Sequence, residues 1–181
     1  MRTISIGDNS IAISPDNKTL ISFDSWNDGT IKLWNLQTGE LINTLTGSFS
    51  RVNSIVISPD SRILASTGSI VEKKIGSTTY YKTAGTIELW NLQTGELLRT
   101  IPVKQQTWSP ESTIAISPDS QTLASFGFYD GTIELWNLQT GQLKTTLKSH
   151  FYQVTAIAFS PDSKTLVSSS YDGIIKVWRV R

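Results

Sequence analysis

Few side chains in this sequence have the types and spacing that acid–base, nucleophilic or metal chemistry requires. The 181 residues include a single histidine, His150, and no cysteine. A role for His150 as a catalytic base would require a neighbouring nucleophile and a substrate pocket. The lack of thiols excludes disulfides, thiolate zinc sites, iron–sulfur clusters and cysteine nucleophiles. We therefore expect no enzyme, no metal site and no cofactor.

Four regularly spaced aspartates raise the question of a calcium array. Each follows a proline in the motif Ile-Ser-Pro-Asp or Phe-Ser-Pro-Asp, at Asp16, Asp60, Asp119 and Asp162. Calcium needs several oxygen ligands that converge on one ion. One aspartate in each of four separate repeats does not supply such a set. Aspartate is common in tight turns because its side chain bonds to nearby backbone. We interpret the four aspartates as turn residues.

The charge balance excludes several classes of partner. Lys and Arg number 16 and Asp and Glu number 15, so the formal net charge is +1. Proteins that bind nucleic acid or membrane surfaces usually show a basic excess. No apolar stretch approaches the ~20 residues that cross a bilayer, and the first residues lack a signal-peptide apolar region. We expect a cytoplasmic protein with no nucleic-acid or membrane partner.

Two motifs recur along the whole chain. Ser-Pro-Asp occurs four times, with prolines 44, 59 and 43 residues apart, and Leu-Trp-Asn-Leu-Gln-Thr-Gly occurs three times before a truncated fourth copy at Trp178. Each unit divides into four runs of about five residues, separated by Pro-Asp, Asp-Gly and Thr-Gly turn signals. Such runs predict antiparallel strands joined by tight turns, which we label a to d. No segment has the periodicity of an amphipathic helix.

A four-stranded unit that recurs every ~40–45 residues and closes on tryptophan is typical of a propeller blade. The sequence resembles the WD-repeat family of β-propellers in Ser-Pro-Asp after strand a, Leu-Ala-Ser in strand b and Asp-Gly-Thr-Ile before strand c. Its near-identical Leu-Gln-Thr-Gly copies look like those of the highly repetitive bacterial, cyanobacterial-like type. It departs from the family where Asn or Arg follows each strand-c tryptophan in place of Asp. The family's Gly-His before strand a survives only as Ser149-His150.

The resemblance implies an all-β fold, a β-propeller of four-stranded antiparallel blades with four blades per chain. We expect one domain over residues 1–181, with blades at about 10–46, 54–102, 113–148 and 155–181. The last blade lacks a strand d and would be closed by strand 2–6 of the same or a partner chain. Four blades in one ring need 90° each, whereas WD-repeat rings usually hold about seven. We therefore expect a homodimer that closes one eight-bladed ring. The alternatives are a four-bladed monomer and a piece of a longer propeller.

The resemblance also gives His150 a structural role. In the family, this histidine hydrogen-bonds an aspartate of the b–c connection, here Asp172. A strand-b serine, Ser168 or Ser170, and the strand-c Trp178 complete the buried network. The strand-c tryptophans recur with the repeat, so we expect them in the core.

Sequence variation concentrates in the b–c and d–a connections, which the family places together on the top face. Blade two has 13 extra residues in its b–c connection, within 69–84, and the d–a connection into blade three has 3 more. Aromatic residues and arginine are enriched at interaction hot spots. The candidate partner-binding residues are Lys73, Lys74, Tyr80, Tyr81 and Trp108. A longer b–c hairpin that packs its own aromatic side chains is the alternative.

These features predict a non-catalytic protein–protein interaction scaffold with its partner site on the top face. The resemblance carries this prediction, since WD-repeat propellers mostly serve as rigid platforms for protein partners. One alternative is a small-ligand receptor or enzyme that uses the central channel. Another is an assembly unit with no evolved partner.

Overall fold

The strands that the structure describes form four separate antiparallel sheets. The computed structural model describes residue 3 and residues 10–23, 29–75, 78–103, 114–126, 131–148 and 150–180, with 71–75 and 79–85 described by their backbone alone. These ranges contain fifteen strands, and no helix in them is long and apolar enough to cross a membrane. The prediction of an all-β fold of antiparallel sheets is confirmed.

Each sheet is a run of consecutive strands that pair in sequence order, and we call the sheets blades one to four. Blade one contains β1 (Ser10–Ile13), β2 (Thr19–Phe23), β3 (Thr30–Asn35) and β4 (Leu41–Thr46). Blade two contains β5 (Arg51–Ile57), β6 (Ile63–Ile75), β7 (Thr78–Asn91) and β8 (Leu97–Pro102). Blade three contains β9 (Ile114–Ile116), β10 (Thr122–Phe126), β11 (Thr132–Asn137) and β12 (Leu143–Lys148). Blade four contains β13 (Val154–Phe159), β14 (Thr165–Ser170) and β15 (Ile175–Arg179).

Blades one to three have strands a to d, and blade four has three strands. The strand d expected for blade four falls on residues 2–6, of which only Thr3 lies within the described residues. Within those residues, β15 is therefore the outer strand of blade four. Strand a of blade two begins at Arg51, earlier than expected, because its ladder continues past a bulge between Val52 and Ser54.

Serine and aspartate side chains close the turn between strands a and b in the same way in every blade. In blade one, Ser14 Oγ donates to Asp16 Oδ1 at 2.6 Å, and the Lys18 amide donates to the same oxygen at 3.1 Å. The intervening Asn17 has a left-handed φ of 58°. The other blades repeat the two bonds at Asp60, Asp119 and Asp162. All four aspartates thus act as turn residues.

The turn between strands c and d is built around an asparagine. Asn35 Oδ1 accepts hydrogen bonds from the Gln37 and Thr38 amides, both at 2.9 Å. Asn91 and Asn137 do the same in blades two and three. An amide oxygen therefore fills the acceptor role that a carboxylate would have, and the departure from the family's Asp leaves the turn intact.

Among the described residues, the hydrophobic core consists of three clusters, one between each pair of successive blades. The first joins Ile31 and Leu33 of blade one to Leu64 and Trp90 of blade two. The second cluster joins Ile87 and Leu89 of blade two to Leu123 and Trp136 of blade three. The third joins Ile133 and Leu135 of blade three to Leu166 and Trp178 of blade four. Each blade thus has a front face, which carries its strand-c tryptophan and packs on the preceding blade. The strand-c aliphatic residues form its back face, which packs on the following blade.

Two blade faces at the ends of this stack are uncovered. On the front face of blade one, Ile11 and Ile13 are 63% and 50% exposed, whereas Ile114 and Ile116 at the same positions of blade three are 7% and 9% exposed. The back face of blade four is uncovered too, since Ile175 and Val177 are 69% and 70% exposed there. The four blades therefore form an open stack in which the two end faces do not cover each other.

Candidate functional site

Four side chains of blade four form a continuous series of hydrogen bonds. His150 Nδ1 lies 2.9 Å from Asp172 Oδ2, and His150 Nε2 lies 2.9 Å from Ser168 Oγ. Trp178 Nε1 donates to Ser168 Oγ at 3.0 Å. The structure thus brings together the histidine, aspartate, serine and tryptophan that the sequence analysis singles out. Of the two candidate serines, Ser168 is the one that contacts the histidine.

One tautomer of His150 satisfies every donor in this series. An indole N–H can only donate, so Ser168 Oγ accepts from Trp178 and its own proton is free to donate to His150 Nε2. The neutral imidazole then carries its proton on Nδ1 and donates it to Asp172. Donors and acceptors therefore alternate without a gap. A buried network in which every group is satisfied rigidifies the segments that it joins.

The order Asp172, His150, Ser168 is also that of a hydrolase triad, so access to the serine decides its use. Ser168 is 1% exposed and His150 is buried. The Ser168 oxygen already accepts the Trp178 indole N–H. A substrate has no exposed serine oxygen to approach, and the geometry instead ties the d–a and b–c connections of blade four to its strands.

Asp172 is held in its ionised form by the groups around it. Burial opposes ionisation, but hydrogen bonds from the Ile174 amide at 2.9 Å, from His150, and from the Phe151 amide at 3.3 Å outweigh that effect. Together they hold the pKa of Asp172 below its ordinary value. Because two of these donors are backbone amides, ionised Asp172 fixes the main chain on both sides of blade four's top edge.

The pair of a strand-c tryptophan and a strand-b serine recurs in every blade. In blades one to three, indole Nε1 donates to serine Oγ at 2.8, 3.0 and 3.1 Å, in the pairs Trp34–Ser22, Trp90–Ser66 and Trp136–Ser125. The chain has one histidine, so the extension of this pair through an imidazole belongs to blade four. The other blades must hold their connections by different means.

Blade two holds its d–a connection with a buried carboxylate, Glu88. Glu88 Oε1 accepts from the Ser48 amide at 2.8 Å and from the Ser48 hydroxyl at 2.7 Å. Ser48 precedes Val52 by four residues, as His150 precedes Val154, so it occupies the histidine position. The second oxygen, Oε2, is buried without a hydrogen-bond partner among the described residues. A Cβ at Gly47 would lie 1.9 Å from this oxygen, so a larger residue there would displace the Glu88 carboxyl group.

Glu88 is not among the residues predicted from the sequence, although a signal for it exists. The residue two positions before the strand-c tryptophan is Lys32 in blade one and Lys176 in blade four, but Glu88 and Glu134 in the two inner blades. Both glutamates are buried. A buried acidic residue is uncommon, and the strand-c residues on either side of Glu88, Ile87 and Leu89, are buried as well.

The insertion of blade two is a β-hairpin that continues β6 and β7 past the end of the sheet. These strands have 13 and 14 residues, whereas the remaining described strands have three to seven. The backbone pairs Val71 with Tyr81 and Lys73 with Tyr80. Lys74 also lies on this hairpin, so the structure brings four candidate partner-binding residues onto one ribbon. Trp108, the fifth, lies outside the described residues.

A comparison with protein-family models matches residues 5–35, 39–70, 97–137 and 141–179 to the WD40 model, described as "WD domain, G-beta repeat". These stretches cover more than half of the chain. The chain belongs to the WD-repeat family. The stretches 97–137 and 141–179 each run through strands d, a, b and c, so the WD repeat is offset from the blade by one strand.

Several relatives share this WD-repeat sequence. Small ribosomal subunit protein RACK1y of Oryza sativa subsp. japonica is 29% identical over 172 residues, which cover 92% of this chain and 45% of the relative. Small ribosomal subunit protein RACK1 of Caenorhabditis elegans is 26% identical over 174 residues, with coverage of 94% and 49%. Target of rapamycin complex subunit wat1 of Schizosaccharomyces pombe is 38% identical over 96 residues, with coverage of 53% and 30%. The chain spans less than half the length of each of these relatives.

An open cleft of 510 Å³ lies between WD-repeat blades one and two, at the end of the sheets opposite to the β6–β7 hairpin. It is lined by the a–b turns of both blades, including Asp16, Lys18, Asp60 and Arg62. Each of the two carboxylates already accepts hydrogen bonds from its own turn. The described residues contain no group of three or more side chains that could hold a metal ion.

Proposed function

We propose that this chain is a non-catalytic protein-interaction scaffold of the cytoplasm, built on WD-repeat blades, whose protein partner binds the top face. Two of the relatives are named as subunits of larger assemblies, the small ribosomal subunit and the target of rapamycin complex. In this chain, one packing scheme recurs between all successive blades. The connections can therefore differ from blade to blade while the core that holds them stays the same.

The β6–β7 hairpin is the observation that carries this proposal. The a–b and c–d turns lie on the opposite face, the bottom face, where the c–d turn repeats Asn-Leu-Gln-Thr-Gly in three blades and gives none of them a distinct surface. The hairpin is unique to blade two among the described residues and extends past the sheet. A projecting two-stranded ribbon offers a partner both unpaired edges and two faces. Its residue types, with Lys73, Lys74, Tyr80 and Tyr81, suit an acidic partner that also supplies apolar anchors.

Blade four adds exposed aromatic rings at the same end of its sheet. Phe151, Tyr152 and Tyr171 are all exposed, with Phe151 at 88%. The Phe151 amide donates to Asp172, and the Tyr171 amide donates to the Gln153 carbonyl oxygen at 3.1 Å. Because the backbone beneath these rings is fixed, binding through them costs less conformational entropy. We place them on the proposed partner face together with Trp108.

We also propose that two copies of the chain close one eight-bladed ring. Between successive blades, a back face packs on a front face. The uncovered back face of blade four and the uncovered front face of blade one are therefore complementary. A second copy related by a two-fold axis covers both faces at once. Eight blades require 45° between neighbours, close to the angle of WD-repeat rings, whereas closure within one chain requires 90°. Covering these faces removes apolar surface from water, which is the dominant stabilising term in association.

A comparison of three immobilised baits tests the partner face. The first is the wild type. In the second, residues 72–80 are replaced by Asn-Gly, a two-residue turn that can join Val71 and Tyr81 because their Cα atoms are paired across the hairpin. The third is a bottom-face control, Gln37→Ala with Gln93→Ala and Gln139→Ala. Equal melting temperatures of the three baits establish that each is folded. Proteins retained from cytoplasmic extract are then purified and titrated against each bait by calorimetry.

The proposal predicts a partner that binds the wild type and the bottom-face control with equal affinity and the shortened hairpin at least tenfold more weakly. Equal affinity for all three baits would move the site away from the hairpin. If no retained protein binds the wild type saturably, the scaffold function itself is wrong.

A further inference from the structure

The connections that enter blades two and four lie directly on a glycine of the preceding blade. Gly29 has a φ of 64°, and a Cβ there would lie 2.1 Å from the Phe49 carbonyl oxygen. Gly131 has a φ of 60°, and a Cβ there would lie 1.9 Å from the His150 carbonyl oxygen. The His150 amide also donates to the Gly131 carbonyl oxygen at 2.9 Å. At both places, glycine lets the main chain of the next blade approach.

Gly173 has the same conformation in blade four but no such neighbour. Its φ is 76°, and no described atom lies within 4 Å of an added Cβ. It ends the b–c connection of its blade, as Gly29 and Gly131 end theirs. The turn at Gly173 is therefore shaped to receive the main chain of a following blade.

A second series of contacts joins successive blades at the bottom. The amide of the turn aspartate donates to a serine Oγ of the next blade at 3.0, 3.2 and 2.9 Å, in the pairs Asp16–Ser61, Asp60–Ser120 and Asp119–Ser163. The three serines have left-handed φ angles of 60°, 59° and 61°. Asparagine and glycine are the residues that favour this conformation. The hydrogen bond to the preceding blade explains why serine stands there instead.

Both ends of this second series are open. Asp162 is the fourth turn aspartate, and its amide has no serine of a following blade to bond among the described residues. Asn17 occupies the acceptor position in blade one, with a φ of 58°, and no blade precedes it among those residues. The carboxamide oxygen of asparagine can accept a hydrogen bond as a serine hydroxyl does.

We propose that these open ends meet between two copies of the chain. The Asp162 amide donates to the side chain of Asn17 of the partner subunit, and the turn at Gly173 packs on the partner's main chain. This inference rests on the proposed eight-bladed ring and adds the contacts that set its orientation. A second copy is the fitting occupant because blade four presents the donor and the open glycine turn beside its uncovered back face. Blade one presents the acceptor beside its uncovered front face, and a two-fold axis forms each contact twice.

The test uses variants that separate backbone strain from contact with the partner. Asn17→Gly relieves any left-handed strain but removes the acceptor, whereas Asn17→Ser restores the residue type of the inner junctions. Gly173→Ala is paired with Gly141→Ala, a control with a φ of 69° whose added Cβ would meet the flexible Arg99 side chain at 3.2 Å. The readouts are the dimer dissociation constant from sedimentation equilibrium and the melting temperature.

We expect Asn17→Gly to weaken the dimer by roughly tenfold or more with no loss of thermal stability in the monomer. Asn17→Ser should stay within about threefold of the wild type. Gly173→Ala should weaken the dimer at least tenfold more than Gly141→Ala does. A dimeric wild type whose dissociation constant is unchanged by both Asn17→Gly and Gly173→Ala overturns these contacts and leaves the ring standing. A wild type that stays monomeric overturns the ring itself.

Discussion

Ile133 and Ile175 occupy the same position of strand c in blades three and four, but only one of them is covered. Ile133 is completely buried between blades three and four, whereas Ile175 is 69% exposed. Full burial of an isoleucine side chain contributes about 1.5–3 kcal/mol relative to exposure. Blade four therefore presents an apolar face that has the composition of an interior, and in the proposed ring a second copy of the chain covers it.

Replacing Val177 with aspartate should abolish the dimer while leaving the single chain folded. Val177 is exposed on the back face of blade four, so the monomer tolerates the charge. In the ring, the carboxylate would be buried in an apolar interface without a partner, which is strongly unfavourable. Light scattering at micromolar concentration measures the change. Leu143→Asp, at an exposed site on outer strand β12, is the control and should remain dimeric; a dimeric Val177→Asp chain would contradict the account.

Replacing His150 with alanine should lower the free energy of unfolding by about 1–3 kcal/mol. The change leaves Ser168 and Asp172 short of a buried hydrogen-bond partner. Urea denaturation measures it. The control is Thr155→Ala, which removes an exposed side-chain hydrogen bond to Ser169 and should cost less than about 0.5 kcal/mol. Equal midpoints for the two variants would show that the network contributes nothing to stability.

The acid sensitivity of the fold should depend on Asp172. Its folded pKa is lowered, so the stability it contributes is complete above the unfolded pKa of about 3.9 and is lost as the pH falls through the folded pKa. The difference in unfolding free energy between the wild type and Asp172→Asn should be constant at neutral pH and shrink below about pH 4. Urea titrations across that range measure it. A difference that persists unchanged into strong acid would contradict the assignment.

Asp16 and Asp162 share part of this acid response. Hydrogen bonds from Ser14 and Ser160, together with backbone amides, lower the pKa values of these two carboxyls. Asp172→Asn should therefore reduce the acid sensitivity of the wild type without removing it, since the turn aspartates still titrate in the same direction.

Replacing Glu88 with alanine should destabilise the chain by about 1–3 kcal/mol, because the Ser48 amide and hydroxyl lose their acceptor. Glu88→Gln keeps an acceptor oxygen and should cost less. Glu96→Ala, in the exposed c–d turn of the same blade, is the matched control. If Glu88→Ala and Glu96→Ala unfold at the same urea concentration, the carboxylate does not anchor the d–a connection.

The repeated parts of this fold were predictable because short motifs determine them. Ser-Pro-Asp specifies the a–b turn through contacts within five residues, such as those of Ser14. The strand-c tryptophan marks the packing face of every blade because it ends the same short motif, Leu-Trp or Val-Trp, in each of them. The network around His150 was also predictable, since the resemblance assigns a role to each of its members.

The remaining parts depend on contacts that no local pattern records. Glu88 is buried because Gly47 and Ser48, about 40 residues earlier in the chain, fold onto it. The register of the β6–β7 hairpin is set by bulges between Thr67 and Ser69 and between Val71 and Lys73. The exposure of Ile175 depends on whether another blade covers blade four. The sequence of its strand, β15, is that of a buried strand and does not reveal this.

The mass of the chain in solution decides whether two copies close the proposed ring. Multi-angle light scattering across a dilution series from about 100 to 1 µM, a range suited to interfaces of micromolar or tighter affinity, gives this mass without assuming a shape. We expect a species of about twice the 20.0 kDa chain mass that dissociates on dilution into a single folded chain. A constant mass of 20.0 kDa across the whole series would contradict it.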